Sequence, residues 1–230
     1  AFTMPRPKLF NLTLSLARMA KPLTKPFSSL GMTRIAALFS LVPAKAATAE
    51  SLGSPGTYPA RGEKKGRVAL LMGCVQSVID PAINGATIRL LTRQGYEVVV
   101  SAEEACCGSL THHMGFEVDS LARARRSVDQ WTDAKVDALI VTASGCGTTI
   151  KDYGFMLRLD PAYAGRAAAI SAKAKDIVEF LGGLELPPAQ TKLRVAYHSA
   201  CSMQHGQKLG TQAQTLLRRA GFEVHDVPEG

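Results

Sequence analysis

No apolar run in this 230-residue chain is long enough to cross a bilayer; the best of them, MTRIAALFSLVP, is short and carries Arg34. Close Cys-x-x-Cys knuckles are absent, and with them the usual spacing of a structural zinc site. There is no Gly-x-Gly-x-x-Gly turn, no phosphate-binding loop and no Ser/His/Asp order, so a flavin or nucleotide bound on this chain has no support. Cysteines are few and odd in number, five, with no secretory leader in view. That argues against a disulfide framework and favours a reducing compartment in which thiols are available for metal. Acidic residues are missing before Glu50. Residues 1–67 hold eleven Lys/Arg against Glu50 and Glu63, whereas residues 68–230 hold sixteen against seventeen acidic side chains. The formal charge of +8 therefore belongs to an N-terminal arm, and the remainder is close to neutral. A folded nucleic-acid reader would carry its charge on the domain surface beside aromatic platforms or a reading motif; the chain has neither, which argues against nucleic acid as a partner.

What is present divides into an arm and a regular part. In the arm, residues 1–66, PKLFNLTLSLARMAKPL has apolar residues at helical spacing and basic edges, and Pro22 and Pro26 end that helix. ESLGSPGTYPARGEKKG reads as a linker rich in Gly and Pro. AALFSLVPAKA has the look of a signal-peptide core. It lies some thirty residues in, however, and the chain opens at Ala1 without Met, so the expectation is a fragment whose beginning lies upstream. From Val68 onward apolar strands alternate with amphipathic helices. VALLMG, YEVVVS and VDALIVTAS read as strands, and ATIRLLTRQG, VDSLARARRSVDQW and GRAAAISAKAKDIVEFLGG as helices. Alternation of this kind predicts an α/β fold with a parallel sheet and crossover helices.

The cysteines fall at the ends of those strands. Cys106 and Cys107 are adjacent and precede a glycine, while Cys74 and Cys146 each follow a glycine after a buried run. A disulfide between neighbours would force the intervening peptide out of its preferred geometry, so two divergent thiols suit two corners of a metal cluster better. Thirty-one residues separate Cys74 from Cys106 and thirty-eight separate Cys107 from Cys146, each enough for one helix and one strand. Such spacing returns all four thiols to one sheet edge, the ligand set of a [4Fe–4S] cluster. Buried cysteine as a small hydrophobe would account for one of them, not for a doublet plus two Gly-Cys steps. His112 and His113 either line that site or face solvent at a helix start. Thr142 and Ser144 either tune a cluster by hydroxyl donation or cap a turn. Asp152 and Tyr153 read as polar helix-face residues, and His225 as an ordinary strand residue.

The pattern then restarts. LLTRQGYEVVV from Leu90 and LLRRAGFEVHD from Leu216 are 126 residues apart and share six of their first nine positions. Cys201 heads the second unit as Cys74 heads the first, one residue out of register, with His198 and His205 on either side. The expected division is residues 67–190 for a first domain and 191–230 for the start of a second, cut before its own Cys-Cys-Gly. Cys201 is then a ligand of a second site and stands apart from the first four thiols.

LLMGCVQ, CCGSLTHHMG, LARARRSVDQW, TASGCGTTIKDYG and YHSACSMQHGQKL resemble the cysteine-rich CCG-domain family. That family takes in components of heterodisulfide reductase and of anaerobic glycerol-3-phosphate dehydrogenase, lactate-utilisation iron–sulfur proteins and, with the fullest likeness here, the iron–sulfur subunits of glycolate oxidases (glycolate dehydrogenases). The likeness covers about residues 60–230. It implies tandem CCG domains, cluster ligands at Cys74, Cys106, Cys107 and Cys146, and Cys201 in the second repeat. The arm resembles the connector that follows an N-terminal ferredoxin domain, whose cysteines are absent here. Several relatives carry a Cys-x-x-Cys where this chain has Cys146 and Thr149, which implies a four-thiolate cluster rather than a five-cysteine noncubane one. The implied role is electron transfer: FAD on a partner subunit oxidises glycolate to glyoxylate, and electrons pass through clusters towards quinone, at the cytoplasmic face of a membrane. Lactate or glycerol-3-phosphate systems, a thiol/disulfide site and a purely structural role in subunit assembly are the rival readings.

Overall fold

The computed structural model describes residues 3–24, 29, 31–44, 47, 52–102, 106–189 and 192–227. In the arm, Pro7 opens helix α1 (Pro7–Ala20), and a 3₁₀ turn over Lys21–Leu23 ends it where Pro22 removes a backbone donor. Pro26 lies outside the described residues. Phe10 and Leu14 of α1 are buried, whereas Leu12, Leu16 and Met19 are exposed. Helix α2 (Thr33–Ser40) follows, and two cations tie α1 to the chain just beyond it: Arg18 Nε donates to the Pro43 carbonyl at 3.2 Å and Lys21 Nζ to that of Val42 at 2.8 Å.

The regular part is a five-stranded sheet of order β1–β3–β2–β4–β5, with β1 (Gly56–Tyr58), β2 (Gly66–Leu71), β3 (Tyr96–Val100), β4 (Ala138–Val141) and β5 (Ala174–Asp176). Four strands are parallel, and β1 runs antiparallel along β3. The sequence assigned residues 56–58 to a linker. Gly and Pro flank them so closely that only three residues pair, too few to show a period of two. Likewise, residues 165–183 read as one helix because Ala and Lys dominate them. In the structure they divide into a helix, strand β5 and a second helix, because pairing of Ala174–Asp176 with Leu139–Val141 outweighs the local propensity.

Alternate side chains of each strand enter different cores. Ala69, Leu71, Leu139 and Val141 pack with Val128 and Trp131 on the helix over Glu117–Thr132, and with Ile150, Ala167 and Ile170. Val68, Leu70, Val98 and Ile140 pack on the opposite face with Ile88 and Leu91 on the helix over Ala82–Arg93, and with Leu181. Both faces being covered explains why the strands read as continuous apolar runs. Each fully buried Leu or Ile there contributes roughly 1.5–3 kcal/mol of transfer free energy.

Past residue 190 lies a separate two-stranded parallel sheet, β6 (Arg194–Tyr197) and β7 (Glu223–Asp226), joined through a helix over Gln212–Arg219. Its register pairs Arg194 with Glu223 and Val195 with Val224; in the first sheet Arg67 pairs with Glu97 and Val68 with Val98. From β2 to β6 the offset is 127 residues, and from β3 to β7 it is 126. The same slip of one residue separates Cys74 from Cys201.

Candidate metal centre

The parallel strands run in the order β3–β2–β4, so the chain goes from β2 to β3 on one side and then returns past β2 to β4 on the other. A crevice at the carboxyl ends of strands lies where such a reversal occurs. All four thiols expected there come off these three strands. After β2 the backbone turns through Gly73, at φ 73°, into Cys74. After β3 come Cys106 and Cys107, and Gly108 at φ 84° then opens a short helix over Ser109–His113. A side chain at Gly108 would be strained by that φ and would also bring its Cβ to 3.1 Å from the Ser120 carbonyl. After β4, Cys146 lies in the first turn of the helix over Ser144–Lys151.

The sulfurs of Cys74 and Cys106 are 3.4 Å apart. The Cys107 thiol is influenced electrostatically by Cys106 on one side and Cys146 on the other, so the four act as one group. Cys106 and Cys107 are buried, Cys74 and Cys146 half-buried. The hydrogen bonds that Cys106 accepts from Cys107 and Cys74 draw its thiol well below the ordinary range, with smaller help from the Gly108 N–H and the Arg123 charge. Cys107 is pushed up by its hydrogen bonds to Cys106 and Cys146 and by burial, and Cys74 by its bond to Cys106 and burial. Cys106 also lies near the buried guanidinium of Arg123, which Asp119 holds at 3.0 Å.

The surroundings are hydrogen-bonded at each loop. Tyr153 Oη, fully buried, donates to the Cys107 carbonyl at 2.7 Å. Ser109 Oγ donates to the Gly145 carbonyl at 3.1 Å, tying the doublet loop to the Cys146 helix. Gln76 Nε2 donates to Thr142 Oγ1 at 2.7 Å, and Asn84 Nδ2 to the Met72 carbonyl at 2.9 Å, which fixes the turn before Cys74. Among the described residues no three His, Cys, Asp or Glu converge on one point as a single ion requires. Four thiols at one sheet edge, with glycines beside three of them, are by their chemistry a donor set that suits an iron–sulfur cluster.

The span from β2 to Lys151, with these four cysteines, is also what comparison with known proteins picks out: residues 68–151 match the cysteine-rich domain family CCG. Residues 68–151 belong to the CCG family. Over 170 residues, 72% of this chain, the sequence is 40% identical to the glycolate oxidase iron-sulfur subunit of Escherichia coli. It is 31% identical over 168 residues to the probable glycolate oxidase iron-sulfur subunit of Bacillus subtilis, and 27% identical over 167 residues to lactate utilization protein A of Bacillus licheniformis. The matches span 42%, 38% and 69% of those three proteins, and 71% and 70% of this chain for the last two. No solved structure matches the chain.

Other residues singled out in the sequence sort unevenly around the CCG thiols. His112 and His113 are both exposed, at the end rather than the start of their helix, with ring centroids 5.8 Å apart. Thr142 is a hydrogen-bond acceptor for Gln76, and Thr149, buried, donates to the Gly145 carbonyl at 3.2 Å. Ser144 does not cap its helix; its Oγ accepts from Ser202 Oγ at 2.7 Å. Asp152 is exposed as expected, but Tyr153 is not on a polar face: it is fully buried under the doublet. Cys201, His198 and His205 are exposed, and Cys201 takes no part in the thiol contacts described above. Sequence reasoning missed Gln207 and Ser202, which reach the Cys146 helix from the segment after Cys201. The QHGQ run was the only signal for Gln207, and Ser202 had none.

Proposed function

We propose that this chain is an iron–sulfur electron-transfer part of a glycolate-oxidising complex, with Cys74, Cys106, Cys107 and Cys146 holding a [4Fe–4S] cluster. The observation that carries the reading is the group of four thiols at the ends of β3, β2 and β4. When bound, the cluster supplies one-electron transfer between FAD on a partner subunit, where glycolate becomes glyoxylate, and a quinone. The chain's own residues set the conditions for that. Arg123 offsets the negative charge of thiolates, Tyr153 fixes the doublet backbone, and burial of Cys106 and Cys107 limits water at the sulfurs. The names of the relatives, glycolate oxidase iron-sulfur subunits and lactate utilization protein A, support a hydroxy-acid oxidoreductase complex, and the higher identity favours glycolate. Thr149, with its hydroxyl turned back onto the Gly145 carbonyl, supplies no fifth sulfur and weighs against a disulfide-reducing site.

The reading includes tandem CCG domains, residues 67–190 and 191–230, with Cys201 a ligand of the second. Matching registers of β2/β3 and β6/β7 support it, and so do two cavities. One, of about 460 Å³, is lined by Met72, Ser77, Val100 and Ser101 together with Arg6–Lys8 of the arm. The other, of about 320 Å³, is lined by Ser199, Gln204, Asp226 and Val227, the positions reached from the first four by the offsets of 127 and 126. A peripheral place at the cytoplasmic face of the membrane is part of the proposal. Its support is an arm without acidic residues before Glu50 that exposes Leu12, Leu16 and Met19. No helix among the described residues is long and apolar enough to cross a membrane. Anaerobic reconstitution should yield about four iron and about four sulfide per chain, whereas stoichiometric zinc without iron would sink the proposal.

A further inference from the structure

The first turn of the helix bearing Cys146 has little of its own to hold it: Ser144, Gly145, Cys146 and Gly147. Besides the Ser109 bond to the Gly145 carbonyl and those of Thr148 and Thr149 within the helix, further anchors come from the other unit. Gln207, which follows the π-helical turn Ser202–Gly206, donates from Nε2 to the Ser144 carbonyl at 3.1 Å and to Asp176 Oδ2 at 3.2 Å. Ser202, next to Cys201, donates to Ser144 Oγ at 2.7 Å, and Thr148 Oγ1 donates to the Ser202 carbonyl at 3.3 Å. The contact is close in both directions. A Cβ on Gly147 would lie 2.8 Å from Gln207 Nε2, and one on Gly206 would lie 2.8 Å from Thr148 Oγ1. Asp176 ends β5, the strand beside β4, so one amide fixes the start of the Cys146 helix against the adjoining strand end.

The geometry points to Gln207 as a positioning residue for Cys146, through which the segment after Cys201 sets the thiol spacing of the first CCG site. The inference rests on the reading of Cys146 as a cluster ligand. A side chain present only to fill space would be better apolar, since Gln207 Oε1 is buried without a hydrogen-bond partner. What the amide adds is its pair of donated bonds. Outer partners that orient a metal ligand govern how firmly the metal is held.

The test uses the whole 230-residue chain, anaerobically reconstituted with iron and sulfide. Gln207→Leu, and more mildly Ser202→Ala, should keep the parent circular dichroism. They should release iron to a chelator faster, by about 10- to 100-fold for Gln207→Leu, and change the EPR line shape of the reduced cluster. Gly147→Ala should do the same by displacing Gln207, and in the Gly147→Ala/Gln207→Ala double variant that added loss should vanish. Parental iron release and EPR spectrum in Gln207→Leu would overturn the inference, as would a Gly147→Ala effect indifferent to residue 207. If the parent takes up no iron, the cluster reading falls instead. The latch is then read without metal, by whether Gln207→Leu speeds alkylation of Cys146 several-fold relative to Cys107; unchanged protection overturns it.

Discussion

Tyr153 is where a single side chain departs furthest from what its neighbours in sequence suggest. Between Lys151 and Tyr153 the chain passes from one short helix to the next at Asp152, and the break turns Asp152 outward and the phenol inward. No periodicity within KDYG could show that, because the turn of the backbone rather than residue type decides the face. The cysteines, by contrast, were legible: a doublet and two Gly-Cys steps at strand ends need no knowledge of packing to be singled out. Burial, above all, raises the Tyr153 phenol well above its ordinary range, so it remains a proton donor to the Cys107 carbonyl at any working pH. Tyr153→Phe keeps the ring and removes only the donor. It should lower unfolding stability by about 1–3 kcal/mol, the cost of a buried polar partner left unpaired. Urea denaturation of the metal-free variant measures this, and parental stability would mean that the carbonyl finds another donor.

Among the elements, those with a clear period were readable and those fixed by partners were not. The helix over Glu117–Thr132 and strands β2, β3 and β4 show their burial in the sequence; β5 does not, because three residues between helix formers gain strand geometry only by pairing with β4. That strand ends on Asp176, which begins the helix over Ile177–Gly182 by accepting the Val178 N–H at 3.0 Å. Burial pushes its carboxyl above the ordinary 3.8, and the bonds from Val178 and Gln207 only partly oppose this. A carboxyl raised in the folded state takes up its proton there before it does in the unfolded chain. Between the raised value and 3.8 the folded state thus binds more protons, and this group's contribution improves as pH falls. Asp176→Asn should remove that trend while keeping an oxygen for Val178. The stability of the parent minus that of the variant, from urea midpoints taken from about pH 7 down to about pH 4, should therefore rise on acidification. A falling difference would show that the hydrogen bonds, not burial, govern the carboxyl.

Across the whole molecule, the offset that relates the two sheets was legible in the sequence and the contact between Gln207 and Ser144 was not, because those residues are 63 apart and share no pattern. The two units also differ in how they treat their cysteines. In the first, helices on both faces of a five-stranded sheet leave Cys106 and Cys107 with 7% and 3% of their surface exposed. In the second, Cys201 precedes a π-helical turn beside a two-stranded sheet and is exposed. Two properties compete in setting thiol reactivity. Hydrogen bonds draw the Cys106 thiol down and so raise its thiolate fraction, but an alkylating agent must first reach the sulfur. Cys106 is buried in the doublet loop that Tyr153 holds by the Cys107 carbonyl, so reaching it requires that loop to move, whereas Cys201 is exposed. Access should win. Limited iodoacetamide treatment under anaerobic conditions should therefore label Cys201 first, Cys74 and Cys146 more slowly, and Cys106 and Cys107 last, as read by peptide mass spectrometry. Labelling of Cys106 ahead of Cys201 would show that the doublet loop opens freely, and that the packing described for the four thiols does not persist in solution.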